Sequence, residues 1–120
     1  MKRIILAALV GVLVSGAAWG KNRTHTGSYW YEECLNPEVS HQLNCMTYVL
    51  GVSQGVIIMR RITKFKTGEE NIAGICFPKN VNNRQIRDIY FEYLKNNPKT
   101  RHKNAGWLFI LSMKDAFPCN

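Results

Sequence analysis

The sequence predicts an all-α fold, a compact bundle of three main helices linked by disulfides. Three segments repeat apolar residues at three- and four-residue spacing, which places them on one face of a helix. No segment shows the two-residue alternation of a half-buried strand. Four cysteines in 120 residues add the prediction of disulfides, because an even cysteine count is typical of small exported domains.

The first twenty residues, MKRIILAALVGVLVSGAAWG, have the pattern of a secretory signal peptide. Lys2 and Arg3 form its basic start, and residues 4–14 form an apolar run that is too short to span a membrane. Small residues then provide a cleavage site, with Ala18 at position −3 and Gly20 at position −1. Cleavage after Ala18 and a retained membrane anchor are the alternatives. We expect residues 1–20 to be removed on export.

Residues 21–120 are then long enough for a single domain with one modest core. The formal net charge is +8, and it falls to +6 without Lys2 and Arg3. This excess favours an acidic protein, a cell-wall polymer or an anionic membrane surface as partner, although it also serves solubility. We expect an exported protein with no nucleic-acid partner and no membrane attachment after cleavage.

Cys34, Cys45, Cys76 and Cys119 are best explained as two disulfides. Because His41 precedes Cys45 by four residues, a Cys/His dyad or a zinc site is the alternative. Both require a free thiolate, which an oxidising compartment disfavours. Of the three possible pairings we prefer Cys45–Cys76 with Cys34–Cys119, since it ties both chain ends to the helices. No metal or cofactor is expected.

The first helix is predicted to begin with Asn36 as N-cap and Pro37 as its first residue, and to end near Ile62. Gly51 and Gly55 lie one turn apart on it. Each glycine weakens a helix, so we expect another helix backbone to pack closely against them. The predicted buried face consists of Val39, Leu43, Met46, Leu50, Val56 and Ile57.

The second helix is predicted from a capping box, with Asn82 as N-cap and Gln85 three residues later. It should end before Pro98. The third helix should run from about Thr100 to Ala116. It is apolar on more than one side, so it should be covered by the other helices or by a second copy of the chain.

Two segments are predicted to be irregular. Residues 21–33 should form a flexible lead whose aromatic residues at 29–31 cover the core. Residues 60–74 should form the longest loop, and long ordered loops often carry function. Its cations are our candidate partner-binding residues, with a merely solvated surface as the alternative. They are Arg60, Arg61, Lys64 and Lys66.

The sequence lacks recognisable catalytic motifs. There is no P-loop, no G-x-G-x-x-G, no H-E-x-x-H and no EF-hand loop. No nucleophile is accompanied by a recognisable base, and the carboxylates stand singly or as adjacent pairs. We therefore do not expect an enzyme.

Three short elements together resemble the Tai/Rap family of type VI secretion amidase immunity proteins. They are Cys-x-x-Tyr-x-x-Gly from Cys45, Ile-Cys-x-Pro at residues 75–78 and Phe-Pro-Cys at residues 117–119. Each is weak alone, but their combination over residues 34–119 is specific. Members of this family are small exported proteins that protect bacteria from peptidoglycan amidases.

The resemblance implies a compact, disulfide-linked helical domain, often dimeric, that binds a cognate amidase tightly and occludes its active-site cleft. Our leading hypothesis is a periplasmic immunity protein that inhibits such an amidase. The alternatives are a periplasmic chaperone-like binding or stress protein with no toxin partner and, third, an enzyme acting on the cell wall. The matching positions are structural, so the resemblance supplies no toxin-contacting residues.

Overall fold

The computed structural model describes residues 23–69 and 73–120. It contains four helices and two short 3-10 turns: α1 (Gly27–Leu35), α2 (Val39–Thr67), α3 (Asn83–Asn96) and α4 (Ala105–Ala116), with turns at Arg23–His25 and Pro98–Thr100. The predicted all-α class is confirmed, with one helix more than the three predicted. The proposed signal peptide, residues 1–20, lies outside the described residues. None of the described helices is both long and apolar enough to span a membrane.

Helix α1 replaces most of the predicted flexible lead. Thr26 caps it by accepting a hydrogen bond from the Tyr29 backbone N–H at 3.3 Å. A Cβ atom at Gly27 would lie 2.9 Å from the carbonyl oxygen of Arg101 and would clash with Leu108. Glycine at this position therefore lets the start of α1 approach the segment before α4. A nine-residue helix depends on such tertiary contacts, which explains why local sequence signals did not reveal it.

Helix α2 is longer than predicted, and it begins later. Glu38 is its N-cap, so Asn36 and Pro37 precede the helix. It continues to Thr67 and ends at Gly68, which adopts the left-handed conformation (φ 75°) and donates its N–H to the Lys64 carbonyl at 2.9 Å. The predicted loop at residues 60–74 is thus helical over its first half. No glycine or proline lies between Gly55 and Gly68 to end the helix earlier.

The buried face of α2 differs from the predicted one. Its buried residues are Cys45, Val49 and Ser53, whereas the predicted core residues Val39, Leu43 and Leu50 are exposed. Both sets have helical spacing, so α2 has two apolar sides, and packing against α1 and α3 selects one of them.

The predicted close packing at Gly51 and Gly55 is wrong within the described chain. An added Cβ atom at either glycine would meet no heavy atom within 4 Å. Both glycines are exposed. Their cost to helix stability is therefore not offset by any helix contact inside the described fold.

The capping box of α3 is confirmed. The Gln85 backbone N–H donates to Asn82 Oδ1 at 2.9 Å, and the Asn82 backbone N–H donates to Gln85 Oε1 at 3.0 Å. Helix α4 begins later than predicted, at Ala105, because Asn104 caps it after a 3-10 turn. It ends at Ala116, as predicted.

The core lies where α1, α3 and α4 pack around the first half of α2. Tyr90 at its centre is fully buried and donates its hydroxyl hydrogen to the Ala105 carbonyl at 3.2 Å. Trp30 stacks on Tyr48 with ring centroids 3.9 Å apart, and Trp30 and Tyr31 pack against the core, which confirms two of the three residues of the predicted aromatic lid. The other core side chains are Val49, Ile75, Ile86, Leu94, Leu108, Phe109 and Met113.

The four cysteines form two disulfides, Cys34–Cys45 and Cys76–Cys119, each with Cα atoms 5.1 Å apart. The disulfides are confirmed, but the preferred pairing, Cys45–Cys76 with Cys34–Cys119, was wrong. Cys34 lies in the last turn of α1 and Cys45 in the second turn of α2, so they face each other across a tight connection. Each cysteine therefore pairs with its neighbour along the chain.

An antiparallel bridge explains the second disulfide. Ile75 pairs with Pro118. The Cys76 N–H donates to the Phe117 carbonyl at 2.9 Å, and the Cys119 N–H donates to the Gly74 carbonyl at 3.1 Å. The sequence stretches GICFP and FPCN thus lie side by side, and their cysteines meet. Gly74 has a φ of 73°, a value that glycine adopts without strain.

Candidate partner-binding surface

The four candidate cations lie in the last two turns of α2, on a helix instead of the predicted loop. Successive helical residues are rotated by about 100°, so Arg60, Arg61 and Lys64 lie on one side and Lys66 lies on the other. The structure therefore brings three of them together and separates the fourth. Positive charge near a helix C-terminus also stabilises the helix, because the last carbonyl groups carry partial negative charge.

Large apolar side chains are exposed among these cations. Phe65 is 93% exposed, with Lys64 and Lys66 on either side of it in the sequence. None of residues 54–67 is buried, although Val56 packs against the edge of the core. Such exposure is unusual for a large aromatic residue. The second half of α2 is consequently both cationic and apolar.

Seven residues of α2 form a surface that we call the outer face. They recur every three or four residues, with two pairs of sequence neighbours at 50/51 and 54/55, and lie opposite the buried Cys45, Val49 and Ser53. The face runs for about 23 Å along the helix, at about 1.5 Å per residue. Gly51 and Gly55 make its N-terminal part flat. The outer face consists of Leu50, Gly51, Gln54, Gly55, Ile58, Ile62 and Phe65.

A buried carboxylate lies at the corner between α1 and α2. Glu33 is 8% exposed, and its Oε2 accepts a hydrogen bond from Asn44 Nδ2 at 3.3 Å. His41 Nδ1 lies 3.1 Å from the same oxygen, and His41 Nε2 lies 3.7 Å from Glu38 Oε2. Because Cys45 is disulfide-bonded, the Cys/His dyad considered from the sequence does not form. This corner holds α1 against α2.

A cleft of about 550 Å³ lies between α3 and α4, and Asp88, Glu92 and Asp115 contribute carboxylates to it. Asp88 pairs with Arg87 at 2.6 Å. The Ser112 hydroxyl in this cleft is buried and donates to the Phe109 carbonyl at 2.7 Å, so it is not held as a nucleophile. Across residues 23–69 and 73–120, no three His, Cys, Asp or Glu side chains are placed to hold a metal ion.

Sequence reasoning found the cations but missed the outer face. It assigned Leu50 to the core and expected another helix backbone to pack closely against Gly51 and Gly55. The available signal was an excess of apolar residues, since α2 has more of them than one buried side requires. A pair of glycines among these additional apolar residues indicates a flat exposed surface as readily as a contact inside the fold.

The fold and this surface define a class: a small, all-helical, disulfide-linked domain whose most distinctive feature is an exposed apolar face. The family model of the Rap1a immunity proteins matches residues 26–119, which is most of the chain. The protein belongs to the Rap1a immunity protein family, and the resemblance found from the sequence is confirmed. No curated protein and no solved structure matches the chain.

Proposed function

We propose that this protein is a periplasmic immunity protein that binds and inhibits a peptidoglycan amidase effector of type VI secretion. The observation that carries the proposal is the family match over residues 26–119. The three sequence elements that resemble amidase immunity proteins support the amidase as target. The signal-peptide pattern of residues 1–20 supports the periplasm as the place of action.

The physics of the fold supports inhibition by direct contact. An inhibitor that is ordered before binding loses less conformational entropy when the complex forms. The two disulfides and the aromatic packing of Trp30 on Tyr48 provide this order. A basic surface speeds association with an acidic partner. We therefore keep the cations of α2 as proposed contacts with the effector: Arg60, Arg61, Lys64 and Lys66.

The decisive experiment captures the partner. The oxidised, tagged protein, purified from the periplasm, is exposed to envelope and secreted proteins of the source strain, and bound proteins are identified by mass spectrometry. We expect one stoichiometric partner with a Cys/His amidase domain, and we expect an equimolar amount of the immunity protein to stop that amidase from cutting peptidoglycan. No bound partner, or a bound amidase that stays active, would contradict the proposal.

The exposed apolar outer face also favours the alternative, a periplasmic chaperone-like protein with no toxin partner. A chaperone binds many unfolded clients weakly, so the same capture would return a spread of unrelated proteins. The family resemblance further favours a homodimer. Sedimentation of the purified protein measures this assembly directly.

A further inference from the structure

We propose that the outer face of α2 is the surface that receives the effector, and that it binds an apolar helix bordered by carboxylates. The two glycines let the backbone of that helix approach α2 closely. The identity of the partner rests on the proposed function. The apolar contact on the outer face and its chemistry follow from the exposure, the shape and the charge of α2.

Exposure distinguishes α2 from the other helices. Nine large apolar side chains are exposed in the described parts of the chain, and seven of them lie on α2. Concentration on one helix is a stronger indication of an interface than the same number scattered over the surface, because scattered apolar residues are normal. Leu50, Ile58 and Ile62 share the solvent side of the helix, and Phe65 extends this side at its C-terminal end.

Shape indicates what kind of structure fits there. Gly51 and Gly55 lie one turn apart, and an added Cβ atom would meet nothing within 4 Å. The distance between two packed helices depends on the side chains at their contact, so a glycine pair allows the axes to come unusually close. Leu50 and Ile58 stand at the two ends of this flat region and can pack on either side of the crossing. A lipid surface would gain nothing from the glycines, because they supply no apolar side chain.

Charge indicates the chemistry of the partner. Arg61 borders the outer face on one side, and Lys66 borders it on the other. Helix α2 contains four Lys and Arg residues and no Asp or Glu. A second copy of α2 therefore offers Arg61 and Lys66 no carboxylate, whereas a different protein with an acidic border does. Complementary charge at the edge of an apolar contact fixes orientation and raises the association rate.

The test replaces both glycines with leucine in the full exported chain. Leucine is the better helix former, so G51L/G55L should melt several degrees above the wild type. Affinity for the purified amidase identified by the capture experiment should nevertheless fall by about 30-fold or more, as expected when a closely packed contact is lost. The affinity of G51A/G55A for the amidase should lie between the affinities of the wild type and of G51L/G55L. The matched control S28L adds one exposed leucine on α1 and should bind as the wild type does.

Each outcome of this test either supports the proposal or overturns it. Higher thermal stability with lost amidase binding supports the proposal, and it cannot arise from misfolding. Unchanged binding by G51L/G55L overturns this inference while the proposed function stands. A wild type that binds no amidase overturns the proposed function and this inference with it.

Two further measurements test the other occupants of the outer face. If G51L/G55L converts a wild-type dimer to a monomer in sedimentation, the face pairs with a second copy and the inference is wrong. If the wild type floats with phosphatidylglycerol vesicles and G51L/G55L does not, the occupant is a lipid surface and the inference is equally wrong. We expect neither change.

Discussion

Arg101 connects three parts of the fold through a single side chain. Its Nε donates to the Leu94 carbonyl at 2.6 Å, and a terminal nitrogen donates to the Lys95 carbonyl at 3.1 Å, so it caps the end of α3. Its guanidinium carbon lies 3.8 Å from the centroid of the Tyr31 ring in α1. The Ser28 N–H also donates to the Arg101 carbonyl at 2.7 Å. The planar, multiply donating guanidinium suits these contacts better than an ammonium group would.

Replacing Arg101 should therefore destabilise the protein even though the residue is only half-buried. We expect R101K to lower the free energy of unfolding by about 1–3 kcal/mol, through loss of charge-assisted hydrogen bonds and the cation–π contact. Urea unfolding measures the change. K99A, at an exposed neighbouring cation, should stay within about 0.5 kcal/mol of the wild type. Equal effects of the two variants would show that these contacts contribute no net stability.

The buried phenol of Tyr90 makes the stability of the folded protein depend on pH. Burial raises its pKa above the ordinary value of 10.0, with a further contribution from Tyr48. Because the folded-state pKa is the higher one, stability from the neutral phenol is complete below pH 10 and is lost as the pH rises further. A single such group gives a slope approaching about 1.4 kcal/mol per pH unit. We expect Y90F to show a shallower decline between pH 10 and 11 in urea titrations. An identical slope would mean that Tyr90 ionises equally in both states.

At the scale of elements, the sequence predicted the helix boundaries that are determined by interactions between residues close together in the chain. The capping box of Asn82 and Gln85 located the start of α3 because both hydrogen bonds lie within four residues. The start of α1 was missed, since Gly27 matters through Arg101 and Leu108, which are distant in sequence. The orientation of α2 was also missed. Its two apolar sides have the same spacing, and only the packing of its neighbours decides which one is buried.

The cationic end of α2 should act mainly on association kinetics. Changing Arg60, Arg61, Lys64 and Lys66 to serine should lower the association rate with the proposed amidase partner by about tenfold or more at low salt and reduce its salt dependence. Stopped-flow mixing measures both effects. The matched control replaces Lys79, Arg84, Lys99 and Lys103, four exposed cations elsewhere, with serine. If both quadruple variants slow association equally, net charge matters and this surface does not.

At the scale of the whole molecule, the two disulfides close loops of different length. Cys34–Cys45 spans 11 residues and joins α1 to α2, whereas Cys76–Cys119 spans 43 residues and joins the C-terminal tail to the segment before α3. In the chain-entropy model the longer loop restricts the unfolded state more. The second disulfide should therefore contribute more of the stability.

We expect C76A/C119A to lose about 4 kcal/mol of unfolding free energy, against about 3 kcal/mol from the loop term for C34A/C45A. Thermal and urea unfolding of both double variants, compared with the oxidised wild type, measures these losses. The loss of packing at the buried Cys45 adds to the loss expected for C34A/C45A. A negligible loss in C76A/C119A would show that the bridge between Ile75 and Pro118 holds the tail without covalent help.

The consecutive pairing of the cysteines has a consequence for biosynthesis. A chain that crosses a membrane from its N-terminus presents Cys34 and Cys45 first, and Cys76 and Cys119 follow. An oxidase that joins each newly emerged thiol to the one waiting before it produces the native pairs directly. Crossed or nested pairs would require later reshuffling, which takes seconds to hours and depends on an isomerase. We therefore expect maturation of this protein to need an oxidase and to proceed without a disulfide isomerase.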